Sequence, residues 1–187
     1  MTTSDLIKNR RAIYPQQFGD TDISENDIKE ILQNANHAPS HKLTQPWFFK
    51  VYQNDSKMEL AKSMILHYEQ NSNSKNIDFK AKKIIDKCKK SNCIIVIFMN
   101  RDINESIPEW EEIASTAMAV QNMWLTCVDK KIGCYWSTPG YIKNMKDYFK
   151  LNSNQRCLGF FYMGHFNHSD KNKSERNDVL DKTEWFK

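Results

Sequence analysis

Two successive arginines, Arg10 and Arg11, follow a short amphipathic stretch near the start of the chain. Guanidinium forks bind the oxygens of a phosphate monoester bidentately and keep their charge when partly buried. The same pair at the end of a helix also complements the helix dipole, so both readings stand on these residues alone. His37 and His41 flank Pro39 and Ser40 in the connection "HAPSHKLTQPWFF". Pro39 interrupts any continuous helical face between them, and no carboxylate or thiol lies near them in sequence, which argues against a metal pair. Trp136, Ser137 and Thr138 end a short strand-like run just before Pro139, and Arg176 lies in a polar tail. The candidates are thus cationic and polar groups at element ends, with no acid/base constellation among them.

Motif and composition narrow the classes further. The chain has no GxGxxG, P-loop, GxSxG or HExxH, which removes the usual dinucleotide-fold, phosphoryl-transfer, α/β-hydrolase and zincin readings. Its 187 residues suffice for one domain, 1–187, and 40% hydrophobic with 27% charged residues is the balance of a soluble globular protein. No apolar run reaches membrane-spanning length, and "MTTSDLIKNRR" lacks the order of a secretory signal, so the expected compartment is cytoplasmic. Five cysteines form an odd set without a CxxC pair and read as buried, reduced thiols. A formal charge of +4 is mild, and the basic segment "KAKKIIDKCKK" carries apolar residues at helical spacing. It reads as a solvated helix face, not as a nucleic-acid patch.

These residues must be positioned by elements legible from periodicity. "DLIKNRR" predicts a short helix closed by Arg10 and Arg11, and a capping-box pattern over Ser24–Asp27 precedes a second helix that stops before Pro39. "WFFKVYQ" predicts a strand over 47–53, followed by helices over 56–71 and 77–90. The unbroken apolar run "CIIVIFMN" predicts a strand covered on both faces. A long helix follows over 108–130, with Trp110, Ile113, Ala117, Val120 and Trp124 as its apolar stripe, and "IGCYWSTP" and "RCLGFFYMGHF" supply two more strands. The expected architecture is α+β: a three-layer sandwich with a central mixed β-sheet flanked by helices. Residues 167–187 form a C-terminal arm whose late apolar residues, Val179, Leu180, Trp185 and Phe186, need a surface on a partner subunit or on their own domain.

The order "NRRAIYP", "APSHKLTQPWFF", "GCYWSTPG" and "GFFYMGHF" resembles the nitroreductase family of FMN-dependent oxidoreductases, in particular its short YdjA-like branch. The resemblance implies a homodimer with FMN at the subunit interface, using NAD(P)H to reduce nitroaromatics, quinones or other small electrophiles. By the same resemblance, Arg10, Arg11 and Ala12 match the segment that binds the FMN phosphate and ribityl chain. His37 and His41 match positions that approach FMN from the other subunit, and Trp136, Ser137 and Thr138 match the segment along the isoalloxazine edge. Arg176 matches a second phosphate-binding cation. A flavin performs the hydride chemistry itself, which accounts for the missing acid/base set. The chain departs from the family pattern at Ala12, where Ser is usual, and at Tyr14, where Arg or Lys is usual. One hydroxyl and one charge are therefore absent, and weaker FMN retention is expected. The alternative is a flavin-binding or redox-sensing protein of the same fold without catalysis, with Cys127 or Cys134 responding to the flavin.

Overall fold

A computed structural model describes residues 1–70, 76–167 and 175–187. Local signals set the element limits. Helix α1 (Thr3–Asn9) begins at a reciprocal cap between Thr2 and Asp5, and α2 (Glu25–Ala35) begins where the Ser24 hydroxyl accepts the Asp27 N–H at 3.1 Å. Strand β1 (Trp47–Gln53) is followed by α3 (Ser56–Gln70) and α4 (Ile77–Lys90), then by β2 (Cys93–Asn100). The long helix α5 (Glu109–Asp129) leads to β3 (Ile132–Ser137), a short α6 (Lys146–Phe149) and β4 (Gln155–His165). Helix α1 ends at Asn9 with Arg10 as its C-cap, the Arg10 N–H donating to the Leu6 carbonyl at 3.0 Å, and Arg11 lies in the extended segment beyond.

Side-chain alternation along the strands divides the interior into two cores. Cys93, Ile95, Ile97, Phe161 and Met163 face α2 and α5, whereas Ile94, Val96, Phe98, Phe160 and Tyr162 face α3, α4 and the Gly140–Phe149 region. Seven of the eight β2 residues are fully buried, each such large apolar side chain contributing about 1.5–3 kcal/mol. The three layers expected from the sequence are present.

The sheet order is β1-β2-β4-β3, and every neighbouring pair is antiparallel. Among the described residues this corrects the mixed sheet expected above, and the connections explain why. The hairpin of α3 and α4 returns the chain to the end where β1 finished, so β2 must run back. A single helix, α5, links β2 to β3, which therefore point the same way. They do not pair, because β4 inserts between them.

The apolar stripe of α5 also needs correction. Its buried face is Glu112, Ser115, Thr116, Ala119, Val120, Met123, Thr126 and Cys127, so that only Val120 belongs to the stripe read from the sequence. Trp110 is 67% exposed, and Ile113 and Met118 are also exposed. Glu112 is fully buried and makes an ion pair with Arg101. The helix carries two contact faces, of which this chain covers the one with the smaller and more polar residues.

The five cysteines are free, four of them buried. Burial pushes the thiols of Cys88, Cys93 and Cys157 up to about 12. Residues 168–174 of the proposed arm lie outside the described residues, and 175–187 are exposed throughout. No helix among the described residues is long and apolar enough to cross a membrane.

Candidate functional site

Strand β3 is an edge strand, and its open side receives the segment after α1. The Ile13 N–H donates to the Cys134 carbonyl at 3.0 Å, and the Trp124 indole N–H donates to the Arg11 carbonyl at 3.1 Å. Close approach needs Gly133, since a Cβ there would sit 2.8 Å from Ile13 Cγ2. Tyr14 is thereby laid against Tyr135, with ring centroids 4.9 Å apart. The guanidinium of Arg10 lies 4.7 Å from the centroid of Trp124, and that of Arg11 lies 5.9 Å from the centroid of Phe166. The Arg10–Ala12 segment and β3, 120 or more residues apart in sequence, are thus brought together on one edge of the sheet, with Arg11 beside Ile132 and Cys134.

At that end of β3 the side chains alternate. Tyr135 faces the α4 side, while Trp136 turns to the opposite face and donates its indole N–H to the Leu158 carbonyl at 3.0 Å. The acceptor is available because β4 bulges there: Ile97 pairs with Gly159 and Phe98 with Cys157, leaving Leu158 extra. Gly159 takes φ 142°, a conformation that an L side chain rarely adopts. The Trp136 indole therefore locks the strand end, while the Ser137 and Thr138 hydroxyls make no hydrogen bond among the described residues.

Two cavities, each of about 240 Å³, flank this edge. One is walled by Arg11, Ile13, Trp124 and Phe166 and reaches Cys134. Burial pushes the Cys134 thiol well above its ordinary range, with the neighbouring Cys127 thiol adding to the shift, so neither geometry nor ionisation favours it as a redox thiol. The other lies between α4 and β3 and is lined by Ser137, Thr138 and Tyr141, with Lys80, Lys83 and Lys87 opposite. Lys87 Nζ donates to the Tyr135 hydroxyl at 2.9 Å. The solvated helix face expected over Lys80–Lys90 is present, with Ile84 and Cys88 buried beneath it, and what the sequence did not show is that Lys80, Lys83 and Lys87 border this cavity.

The remaining candidates lie elsewhere in the chain. His37 lines a groove with Leu6, Asn34, Asn122 and Thr126, between α1, α2 and α5. His41 Nδ1 meets Glu111 Oε2 at 2.5 Å near the start of α5, on a largely exposed ring. Between this histidine and β1, Lys42, Leu43 and Gln45 all have positive φ, and Leu43 is 81% exposed. Such strain, on the order of 1–3 kcal/mol per residue, concentrates where a segment is shaped for a contact. Arg176 is exposed, and its guanidinium donates to the Glu175 carbonyl at 3.0 Å. Within one chain, then, Arg10–Ala12 run along the β3 edge with Arg11 toward its Ile132 end, Ser137 and Thr138 stand at the other end of the strand, and His37, His41 and Arg176 lie elsewhere.

The family model described as "Nitroreductase family" matches residues 7–165. The chain is 26% identical over 170 residues to the "Putative NAD(P)H nitroreductase YdjA" of Escherichia coli, covering 88% of each protein. The crystal structure of a nitroreductase-like family protein from Bacillus cereus superposes with a TM-score of 0.87 at 25% identity, covering 100% of this chain and 96% of that one. The FMN-dependent nitroreductase NfnB from Mycobacterium smegmatis, solved in complex with NADPH, shares the fold with a TM-score of 0.76 at 14% identity, covering 98% and 97%.

Proposed function

This chain belongs to the nitroreductase family, and from that membership we propose that it is an FMN-dependent NAD(P)H oxidoreductase, working as a homodimer and reducing nitroaromatics, quinones or similar small electrophiles. The observation that supports this reading is one open strand edge, β3, that carries the Arg10–Ala12 segment along it through the Ile13 to Cys134 bond and the Ser137 and Thr138 hydroxyls, without a partner among the described residues, at its end. The NAD(P)H nitroreductase name of the relative and the FMN dependence and bound NADPH of the structural neighbour support the cofactor and the reductant.

The residues present fit FMN. Arg10 has no carboxylate partner within ion-pair distance among the described residues, and it stands beside Arg11, so the pair would hold the phosphate. The backbone at Ala12 would border the ribityl chain, and Trp136, Ser137 and Thr138 the isoalloxazine edge, with the Ser137 and Thr138 hydroxyls as uncommitted donors. Bound FMN would supply the chemistry itself, accepting a hydride from NAD(P)H and passing it to the acceptor. The chain's own part is to bind, orient and shield: the Trp136 to Leu158 bond and the bulge at Gly159 stiffen the strand end.

A second copy would supply the residues that one chain leaves apart. The exposed apolar face of α5, with Trp110, Ile113 and Met118, is large for a surface in water, as are Val179, Leu180, Trp185 and Phe186 in the terminal segment. A homodimer burying these faces would bring the protruding 37–46 connection, with His37 and His41, and the arm with Arg176 to the partner's edge.

The test is an absorbance spectrum after incubation with FMN and desalting, followed by anaerobic addition of NADH or NADPH. A retained yellow chromophore that bleaches, with parallel double-reciprocal lines against acceptor, is the expected result. A yellow protein that does not bleach would leave only flavin binding, and a colourless one would overturn the cofactor assignment.

A further inference from the structure

The cavity between α4 and β3 carries a charge pattern that the flavin reading does not use. Lys80, Lys83 and Lys87 line one wall at successive three- and four-residue steps of α4, Lys80 and Lys83 exposed at its rim and Lys87 half-buried against Tyr135. None has a carboxylate within ion-pair distance among the described residues, although Lys62 and Lys90 on the same pair of helices do. No carboxylate lines the cavity.

Its floor strengthens the pattern. Tyr162 is 2% exposed and Tyr141 7% exposed, both line the cavity, and neither phenol has a hydrogen-bond partner among the described residues. Neither oxygen is sealed from solvent, so both hydroxyls open onto the cavity and can donate to what enters it. Burial pushes both phenols up, so they remain protonated and can donate. With the Thr138 hydroxyl at the mouth, the polar inventory is ammonium and hydroxyl donors, with no permanently negative group.

We infer that this cavity is a subsite for an acidic substituent, a carboxylate or sulfonate, on the electron acceptor, so that the preferred acceptors are anionic aromatic electrophiles. The inference rests on the oxidoreductase reading, since Thr138 belongs to the segment assigned to the flavin edge, and it names the substrate class of that site. A volume of about 240 Å³ suits a substituted benzene ring and not a dinucleotide. The reductant's phosphates are the other source of the same anionic chemistry, and the experiment separates the two.

The experiment compares 4-nitrobenzoate with 4-nitrobenzyl alcohol, and anthraquinone-2-sulfonate with 2-(hydroxymethyl)anthraquinone, for wild type, Lys83→Gln and Lys83→Gln/Lys87→Gln. The ratio of kcat/KM for the anionic over the neutral member is expected to exceed ten in wild type and to fall about tenfold in the double variant. The NADPH over NADH ratio should not move. Equilibrium dialysis of 4-nitrobenzoate gives a readout independent of turnover, with binding expected in wild type, weakened by salt, and lost in the double variant. Equal kcat/KM for charged and neutral acceptors, or a change confined to the NADPH over NADH ratio, would overturn the subsite while leaving the oxidoreductase intact. Lysine-dependent binding of 4-nitrobenzoate without any turnover would keep the anion subsite and sink the oxidoreductase reading instead.

Discussion

Tyr14 and Tyr135 meet with ring centroids 4.9 Å apart and planes tilted by 52°. Tyr14 occupies a position where the family pattern resembled by this chain carries Arg or Lys, so an aromatic contact stands where a charge would be. The same Tyr135 ring lies 5.4 Å from Lys87 Nζ, which returns a cation to the neighbourhood from α4.

The hydroxyl missing at position 12 has no such replacement. Ala12→Ser is expected to tighten FMN binding by about 1.5–3 kcal/mol, roughly 10- to 150-fold in Kd, because it restores a hydrogen bond to a charged group. Titration of flavin fluorescence measures it. An unchanged Kd would mean that the phosphate does not sit beside Ala12.

Gly159 stands under the Trp136 indole, where an added Cβ would lie 2.2 Å from Nε1 at φ 142°. Gly159→Ala should therefore destabilise the chain by about 2–4 kcal/mol through backbone strain and overpacking together. Gly140→Ala is the control, since nothing lies within 4 Å of its Cβ position, and should stay within about 0.5 kcal/mol. Urea unfolding of both variants decides, and equal midpoints would refute the lock between Trp136 and the β4 bulge.

The outward face of α5 makes a prediction about assembly. Trp110→Lys should weaken the proposed homodimer by about 2 kcal/mol or more, roughly 30-fold, as loss of a buried aromatic anchor does. Sedimentation equilibrium should show a shift from two chains to one at micromolar concentration. A monomeric wild type would remove the surface that the arm and the 37–46 connection are proposed to use.

Lys130 ties the two helices of one layer, with Nζ at 2.8 Å from Asp27 and 2.7 Å from Glu30. The Lys130 bond first, and the Ser24 hydroxyl second, hold the Asp27 carboxyl below its ordinary 3.8. That stabilisation is present above 3.8 and is lost as pH falls through the depressed value. Asp27 in turn raises Lys130 above its ordinary 10.5, so the contribution is present below 10.5 and is lost as pH rises through the raised value. Lys130→Met should lower Tm by roughly 2–4 °C at neutral pH. The difference from wild type should shrink below pH 3.8 as Asp27 protonates, and a constant difference down to pH 2 would sink this account.

The sequence by itself determined what a few neighbouring residues can encode. The cap at Ser24, the strand at Trp47–Gln53 and the doubly covered run at Cys93–Asn100 follow from side-chain chemistry and spacing within one element, and the arginine pair was legible as a candidate anion holder. Tertiary structure decided everything that depends on which distant surfaces meet. β4 inserts between β2 and β3, which turns an expected mixed sheet antiparallel. Glu112 and Met123 face the core of α5 while Trp110 faces out, because the helix has two faces that could be buried and its own periodicity does not choose between them. Lys83 and Thr138 meet across one cavity although 55 positions separate them, an approach set by how α4 packs on the sheet and written in no local pattern.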